Sequence, residues 1–290
     1  MTTKINLPFL NFNHIEDNIE DVYNFASQEL NLDLANDVDT KTKYFKSINK
    51  IQSTEVPYNK EKINVTFFDK ILQDKLLELG MIDKNDLENN NHIYSDEEQK
   101  VIRYRLEKAL ELIKMLHPDL HKLINTLVGT FLILKKDLFG GGSVSNVMGL
   151  IWLNPQKDWS IIQYAESVYH EFIHQSIFLD DMVNSMFPDA NACATEDALV
   201  TSTVLKIKRP LDRSYHAAGV SIGIMHLYYL FNDINNSTLY MKDLQVTLNE
   251  INERTKYLGE QGIYTLDIMN SFVKEPNFED ITKSLYKTVS

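Results

Sequence analysis

Two histidines four residues apart, with a glutamate after the first, stand in the segment His170-Glu171-Phe172-Ile173-His174. On a helix, positions i and i+4 lie on one face one turn apart, so both imidazoles can reach the same metal ion. Glu171 is rotated by about 100° from His170, which lets it act on water at the metal without being a ligand. The spacing predicts a metal site with His170 and His174 as ligands and Glu171 as the catalytic residue.

A third ligand is expected, because catalytic zinc usually has three protein ligands and iron commonly has two histidines and a carboxylate. Glu196 follows the second histidine by 22 residues and His216 follows it by 42 residues. We favour His216, because the small residues Ala217, Ala218 and Gly219 would let its helix approach the metal helix closely. Glu196 is the alternative.

The metal motif requires a helix, and the surrounding sequence predicts where that helix begins and ends. Ser160 and Gln163 fit a capping box, in which two side chains satisfy the first free amide groups of a helix. Pro188 is expected to follow the helix end near residue 186. Before this helix, the apolar segments 128–134 and 147–153 predict two strands joined by a glycine-rich loop at residues 140–143.

The remaining pattern is mostly helical. Helices are predicted over residues 15–34, 96–116, 214–231 and 239–258, and a strand is predicted over residues 198–208. The expected fold is α+β and mostly helical, with a small sheet packed beside the metal helix. We expect a helical N-terminal region, residues 1–125, that holds the substrate, and a metal-binding catalytic region, residues 126–290, unless both form one continuous domain.

Composition narrows the partners and the compartment. The chain of 290 residues has a net charge of −12, which argues against binding a nucleic-acid backbone and favours a peptide or small molecule. Its single cysteine, Cys193, excludes an internal disulfide and a cysteine-rich zinc site. The first residues lack the apolar core of a signal peptide, and no apolar segment is long enough to span a membrane. A cytoplasmic location is therefore expected.

Two blocks of sequence carry a resemblance to a known family. The first block comprises Gly149-Leu150-Ile151-Trp152-Leu153-Asn154-Pro155, Tyr164-Ala165-Glu166 and Tyr169-His170-Glu171-Phe172-Ile173-His174-Gln175, and the second comprises Arg209-Pro210-Leu211, His216 and Gly219-Val220. Over residues 147–231 the chain resembles the HExxH-containing peptide-modification proteins, which accompany ribosomally made peptide natural products. The segment before residue 126 resembles no family that we can name.

The resemblance implies an Fe(II)- and 2-oxoglutarate-dependent enzyme that hydroxylates the β-carbon of residues such as Asp or His in a precursor peptide. It implies iron bound by His170, His174 and His216. It also implies a cationic partner for the distal carboxylate of 2-oxoglutarate, and Arg209 and Arg213 are the candidates, because a guanidinium can hold a carboxylate through two hydrogen bonds.

Two other functions remain open from the residues. In a zinc metallopeptidase, Glu171 would be the general base and the strand around Leu150 could align the peptide. In a non-enzymatic peptide-binding protein, the metal would be structural and its coordination closed. The motif alone favours the peptidase. The resemblance favours the hydroxylase, and we give it more weight because it includes Arg209 and His216 outside the shared motif.

Overall fold

The structure, a computed structural model, describes residues 4–35, 37–136 and 140–288, apart from the side chain of Asn89. The chain forms two compact units. The central unit contains residues 19–175, and the terminal unit contains the residues before 19 together with those from 176 onward. Two long helices, α1 (Phe12–Leu30) and α7 (Ile161–Asn184), contribute residues to both units.

The helices of the central unit begin and end where local chemistry predicts. Ser95 accepts a hydrogen bond from the backbone of Glu98, whose side chain bonds back to Ser95, and this capping box begins α5. Because Pro118 cannot continue that helix, α5 ends at Leu116 and His117 caps the next helix. Besides its parts of α1 and α7, the unit contains α2 (Thr40–Ile51), α3 (Lys70–Glu78), α4 (Lys84–Leu87), α5 (Asp96–Leu116) and α6 (Pro118–Leu127).

A four-stranded sheet lies within the central unit. Its strands are β1 (Asn64–Thr66), β2 (Thr130–Ile133), β3 (Gly141–Gly142) and β4 (Leu150–Leu153), in the order β1-β2-β4-β3. The first three in that order run parallel, and β3 pairs antiparallel with β4. Every residue of β2 and β4 is buried, which explains why both read as continuous apolar segments.

Two predictions about this region needed refinement. The glycine-rich segment was expected to be a loop, but Gly141 and Gly142 form the edge strand β3. The region before residue 125 was expected to be helical, but it also contributes β1 to the sheet. A three-residue or two-residue strand has too few positions to show alternation, so periodicity could not reveal either one.

Glycines let the core of this unit pack closely around the aromatic ring of Phe45. A Cβ atom at Gly129 would lie 2.7 Å from that ring, and one at Gly149 would overlap it. Gly149 also has a φ of +85°, a conformation that favours glycine. Both positions therefore exclude any larger residue, and they fix the ends of β2 and β4 against α2.

The terminal unit is built around α8 (Leu211–Leu230), which is buried over most of its length. Gly219 makes a close approach possible: a Cβ there would lie 2.9 Å from Ile177 of α7. Tyr215 donates a hydrogen bond of 2.7 Å to the carbonyl of Gly262. The other helices of this unit are α9 (Met241–Asn252), α10 (Glu260–Lys274) and α11 (Phe278–Ser284).

The prediction of a single strand over residues 198–208 is wrong. The chain instead forms a short antiparallel hairpin of β5 (Val200–Thr201) and β6 (Lys208–Arg209). The chain reverses because Lys206 adopts a positive φ of 58° and its amide bonds to the carbonyl of Ser202 at 2.8 Å. The alternation of apolar and polar residues along this segment therefore comes from the two short strands of a hairpin and not from one continuous strand.

The expected fold class is confirmed: the structure is mostly helical, with a small mixed sheet and a second two-stranded sheet. Within the described ranges, none of the helices is both long and apolar enough to cross a membrane. The expected division into a substrate-holding region, residues 1–125, and a catalytic region, residues 126–290, stays a prediction. The two compact units are defined by how residues pack and not by function.

Candidate metal site

The metal motif lies in the middle of α7, on the part that belongs to the central unit. The predicted capping box is present: the amide of Ser160 donates to the side chain of Gln163 at 2.8 Å, and the amide of Gln163 donates back at 3.3 Å. Local sequence therefore starts the helix, and helical spacing then places His170 and His174 on one face.

The two histidine side chains converge. Their Nε2 atoms lie 3.2 Å apart, and their ring centroids are 5.0 Å apart. Two nitrogens bound at about 2.1 Å to one ion are separated by roughly 3.0–3.4 Å in octahedral or tetrahedral geometry. The observed spacing fits a shared metal ion, with one nitrogen from each ring directed at it.

Both rings are partly open to solvent, and the His170 side chain is 34% exposed. Burial lowers the pKa of His170 to about 4. At neutral pH this imidazole is uncharged, which is the form that binds a metal.

Glu171 is buried beside the pair. Its Oε1 lies 3.8 Å from Nε2 of His170, and its Oε2 accepts a hydrogen bond from the hydroxyl of Ser143. Burial raises the pKa of Glu171 to about 7, and the hydrogen bond from Ser143 opposes that rise. A carboxyl group with such a pKa can both accept and return a proton near neutrality.

Ser143 was missed from sequence. It follows the glycine strand β3, whose backbone lies directly against β4. A Cβ at Gly141 would lie 2.8 Å from the carbonyl oxygen of Trp152, and one at Gly142 would lie 2.8 Å from the indole nitrogen of Trp152. The glycine run was therefore the available signal: it allows the close approach that brings Ser143 to Glu171.

Gln175, the residue after the motif, attaches the helix to the sheet. Its side-chain oxygen accepts from the amide of Gly149 at 2.8 Å, and its side-chain nitrogen donates to the carbonyl of Leu150 at 3.0 Å. The side chain is fully buried. These two hydrogen bonds fix the position of the metal motif, along the axis of α7, relative to β4.

We expect the Gln175→Met substitution to lower the free energy of unfolding by about 2–4 kcal/mol, because it leaves a buried amide and a buried carbonyl without partners. Urea unfolding of both proteins measures the change. Gln163→Met on the same helix is the matched control: this exposed residue makes only a capping bond and should cost less than about 1 kcal/mol. Equal losses in the two variants would contradict the anchoring role of Gln175.

The terminal unit holds His216, the favoured third ligand, near the start of α8. Its ring is buried, 4.8 Å from the ring of Phe178 and 6.0 Å from that of Phe187. Burial lowers the pKa of His216 to about 3, and the positive charge of Arg209 adds to the effect. His216 is therefore also a neutral imidazole.

Arg209 and Arg213 lie in the same unit as His216. Arg209, in β6, is half-buried, and Arg213, in α8, is exposed. Burial lowers the pKa of Arg209, and the charge of Arg213 lowers it further while that of Asp212 opposes the shift. The two arginines and the carboxylate of Asp212 therefore lie close enough to influence one another's charge.

Glu196, the alternative ligand, is exposed and begins a short 3-10 helix, Glu196–Ala198. In the part of the chain that the structure describes, no group of three or more His, Cys, Asp or Glu side chains is arranged to hold a metal ion. The choice between His216 and Glu196 as third ligand stays a prediction.

Two histidines of the central unit that lie outside the motif are also buried. His117 accepts a hydrogen bond at its Nδ1 from the amide of Leu120 at 3.1 Å. His92 is buried although its neighbours in sequence, Asn90 and Asn91, are polar.

Comparison with known proteins gave no match, either to a family model or to a curated protein sequence.

Proposed function

We propose that the chain is an Fe(II)- and 2-oxoglutarate-dependent enzyme that hydroxylates a side chain of a peptide. The observation that carries this proposal is the pair of convergent imidazoles, His170 and His174, beside the buried carboxyl group of Glu171. The third iron ligand in the proposal is His216. The peptide in the proposal is a ribosomally made precursor, and the compartment is the cytoplasm.

The residues fit iron, because imidazole nitrogens bind it well and the 3.2 Å spacing suits a shared ion. Bound iron would supply the activation of oxygen, coupled to the conversion of 2-oxoglutarate to succinate and carbon dioxide. The chain would hold the ion through His170 and His174. Glu171, kept in place by Ser143, would orient the substrate next to it.

Arg209 and Arg213 would bind the distal carboxylate of 2-oxoglutarate. Support comes from their charge: Arg209 is half-buried, and the nearby charge of Arg213 disfavours its cation. A carboxylate would relieve that repulsion, and a guanidinium binds it through two parallel hydrogen bonds.

A peptide would bind along the edge strand β3. The strand around Leu150 was suggested to align the peptide of a peptidase; in the structure β4 has β2 on one side and, opposite Trp152 and Leu153, β3 on the other. Gly141 and Gly142 lie at the edge, where a peptide can add as a further strand. Ser143 follows immediately and contacts Glu171, so such a peptide would pass close to the metal helix.

Zinc peptidase activity is the second candidate, and the pKa of Glu171 favours it. A buried carboxyl group with a pKa of about 7 suits a general base that takes a proton from water attacking a peptide carbonyl. The same ligands would serve, because imidazole binds zinc as well as iron.

The deciding experiment is oxygen-dependent succinate formation by protein loaded with Fe(II) under anaerobic conditions and supplied with 2-oxoglutarate. Uncoupled turnover can occur without the peptide, so the assay does not need the natural substrate. Succinate that requires both iron and oxygen supports the hydroxylase. Retention of zinc, cleavage of a peptide library and no succinate would establish the peptidase.

Glu171→Gln separates the two functions further. A peptidase should lose about 100-fold to 10,000-fold in hydrolysis, because the variant has no base. In a hydroxylase the amide keeps an oxygen that can accept from Ser143, and succinate formation should fall by less than about ten-fold. Parallel assays of peptide cleavage and succinate measure both. A collapse of succinate formation with intact iron binding would contradict the positioning role of Glu171.

A further inference from the structure

A cavity lies in the central unit, at the carboxyl ends of two parallel strands. Its walls come from the segments that follow β2 and β4, from one face of α5, from α4 and Asn91, and from Tyr164 of α7. Its volume is about 780 Å³, a size typical of small-molecule sites. Ligands of sheets with parallel strands bind outside the carboxyl ends of those strands, so the position is also typical of a binding site.

The charges that line this cavity do not cancel. Its three acidic residues each have a lysine partner: Glu97 pairs with Lys100 at 2.9 Å, Glu98 with Lys135 at 3.2 Å, and Asp86 with Lys136 at 3.0 Å. Two further cations, Arg105 and Lys157, also line the cavity. Among the described residues, no carboxylate forms an ion pair with either of them.

Arg105 is held in place by the backbone. Its Nη1 donates to the carbonyl of Lys157 at 2.9 Å and to the carbonyl of Trp159 at 3.0 Å. These bonds orient the guanidinium without neutralising its charge. A half-buried, oriented cation of this kind loses little conformational entropy when an anion binds.

Other lining residues are uncharged. Tyr94 is buried, and its hydroxyl is 3.1 Å from both the side chain of Asn154 and the carbonyl of Pro155. Val101, Ile102 and Pro155 add apolar surface. A ligand here would meet one oriented guanidinium, one exposed lysine, three ion-paired carboxylates and an apolar wall.

We propose that this cavity binds a small organic carboxylate with an apolar body, held by Arg105 and assisted by Lys157. A planar carboxylate matches the fork of a guanidinium. A monoanion suits the cavity better than a phosphate dianion, because three carboxylates lie in the same walls.

The proposal does not depend on the metal. His170, Glu171 and His174 are not among the residues that line the cavity, all of which lie between positions 85 and 164. Binding should therefore be equal in metal-free protein, in metal-loaded protein and in a His174→Ala variant. Failure of the oxygenase proposal would leave this one standing.

The test is a fluorine NMR titration of the full-length metal-free protein with para-fluorophenylacetate, beside para-fluorobenzyl alcohol and para-fluorobenzylamine. We expect the carboxylate to bind and the other two probes to bind at least about ten-fold more weakly, as expected for loss of a charge-assisted hydrogen bond. Arg105→Gln should weaken carboxylate binding by about ten-fold or more.

Arg103→Gln is the matched control. Arg103 lies on the same helix and also donates to a backbone carbonyl, that of Val65 at 2.7 Å, but it does not line the cavity. Its removal should leave binding unchanged. Lys157→Gln is a second test that does not rely on the Arg105 variant folding correctly, because Lys157 is exposed and its replacement should leave the fold intact. This change should weaken carboxylate binding by a smaller factor than Arg105→Gln.

Four results would overturn the proposal. The first is no binding of the carboxylate at millimolar concentration. The second is equal binding of the alcohol. The third is equal weakening by Arg103→Gln and Arg105→Gln. The fourth is loss of binding in His174→Ala, which would assign the probe to the two imidazoles of the metal motif.

Discussion

Replacing His174 by alanine should weaken Fe(II) binding by at least about 100-fold, since loss of residues that merely support metal ligands already costs 10–100-fold. The reason is geometric: removing one imidazole leaves His170 without the nitrogen that lies 3.2 Å from its own. Succinate formation should fall to the level of metal-free protein. Competition with a chromophoric chelator under anaerobic conditions measures the affinity, and the succinate assay measures the activity.

The matched control for this variant is His121→Ala. His121 is also a half-buried helical histidine of the central unit, but it lies in α6, away from the motif. Its removal should change neither metal affinity nor activity. Unchanged iron affinity in His174→Ala, with the fold intact, would show that the two imidazoles are not a metal site.

Replacing Asp180 by alanine should lower the free energy of unfolding by about 3–5 kcal/mol, the usual cost of removing a buried carboxylate from its charge-assisted hydrogen bonds. The carboxylate is buried in the terminal unit, where four side chains approach it. His14 Nε2 and Asn184 Nδ2 lie at 2.8 Å, Gln261 Nε2 at 3.1 Å and Asn18 Nδ2 at 3.2 Å. The substitution would leave these groups facing an apolar methyl group.

The loss should depend on pH in a defined direction. Burial by itself would raise the pKa of Asp180, but the hydrogen bonds and charge of His14, with bonds from Gln261 and Asn184, lower it below the ordinary value. An acid with a lowered folded-state pKa stabilises the fold above its unfolded pKa of about 3.9, and this contribution disappears as the pH falls through the folded value. The difference between wild type and Asp180→Ala should therefore be full at pH 7 and shrink below about pH 4.

The neighbouring Asp181 is the control, because its pKa shifts the opposite way. Burial raises the pKa of Asp181, and the charges of Asp180 and Asp212 raise it further, against the bonds from Phe187 and Met186. Its ionised form is therefore a cost at neutral pH, and Asp181→Asn should be neutral or stabilising at pH 7. Urea unfolding of both variants from pH 7 downward tests the pair. Equal destabilisation by the two variants would contradict the network at Asp180.

The helix that carries the metal motif could be read from sequence because its determinants are local. The capping side chains of Ser160 and Gln163 lie within one turn of the groups they satisfy. The two histidines need only helical spacing to converge. For the same reason α5 begins and ends where its cap and the following proline predict.

Short elements and turns were read less well. The hairpin of β5 and β6 has two residues in each arm, so its alternation could not be told from that of a single strand. The reversal depends on Lys206, which has a positive φ. This conformation is uncommon for lysine, so the residue type does not predict it. Periodicity needs several residues to be visible, and these strands have too few.

The surroundings of the motif were decided by tertiary structure. Ser143 reaches Glu171 across 28 positions of sequence, and Gln175 reaches Gly149 across 26. The residue types alone do not predict these long-range contacts. The contact of Ser143 with Glu171 depends on the pairing of β3 with β4, in which the glycine backbone lies against Trp152.

The sequence alone determined two features of this protein. The first is the pair of histidines on one helix face with a glutamate beside them, and the second is the mostly helical fold. The tertiary structure decided the electrostatic state of those groups and the existence of the carboxylate cavity at Arg105. The physical reason is distance along the chain. Caps and helix faces are determined within a few residues, whereas burial, pKa shifts and unpaired charge arise only when remote segments pack together.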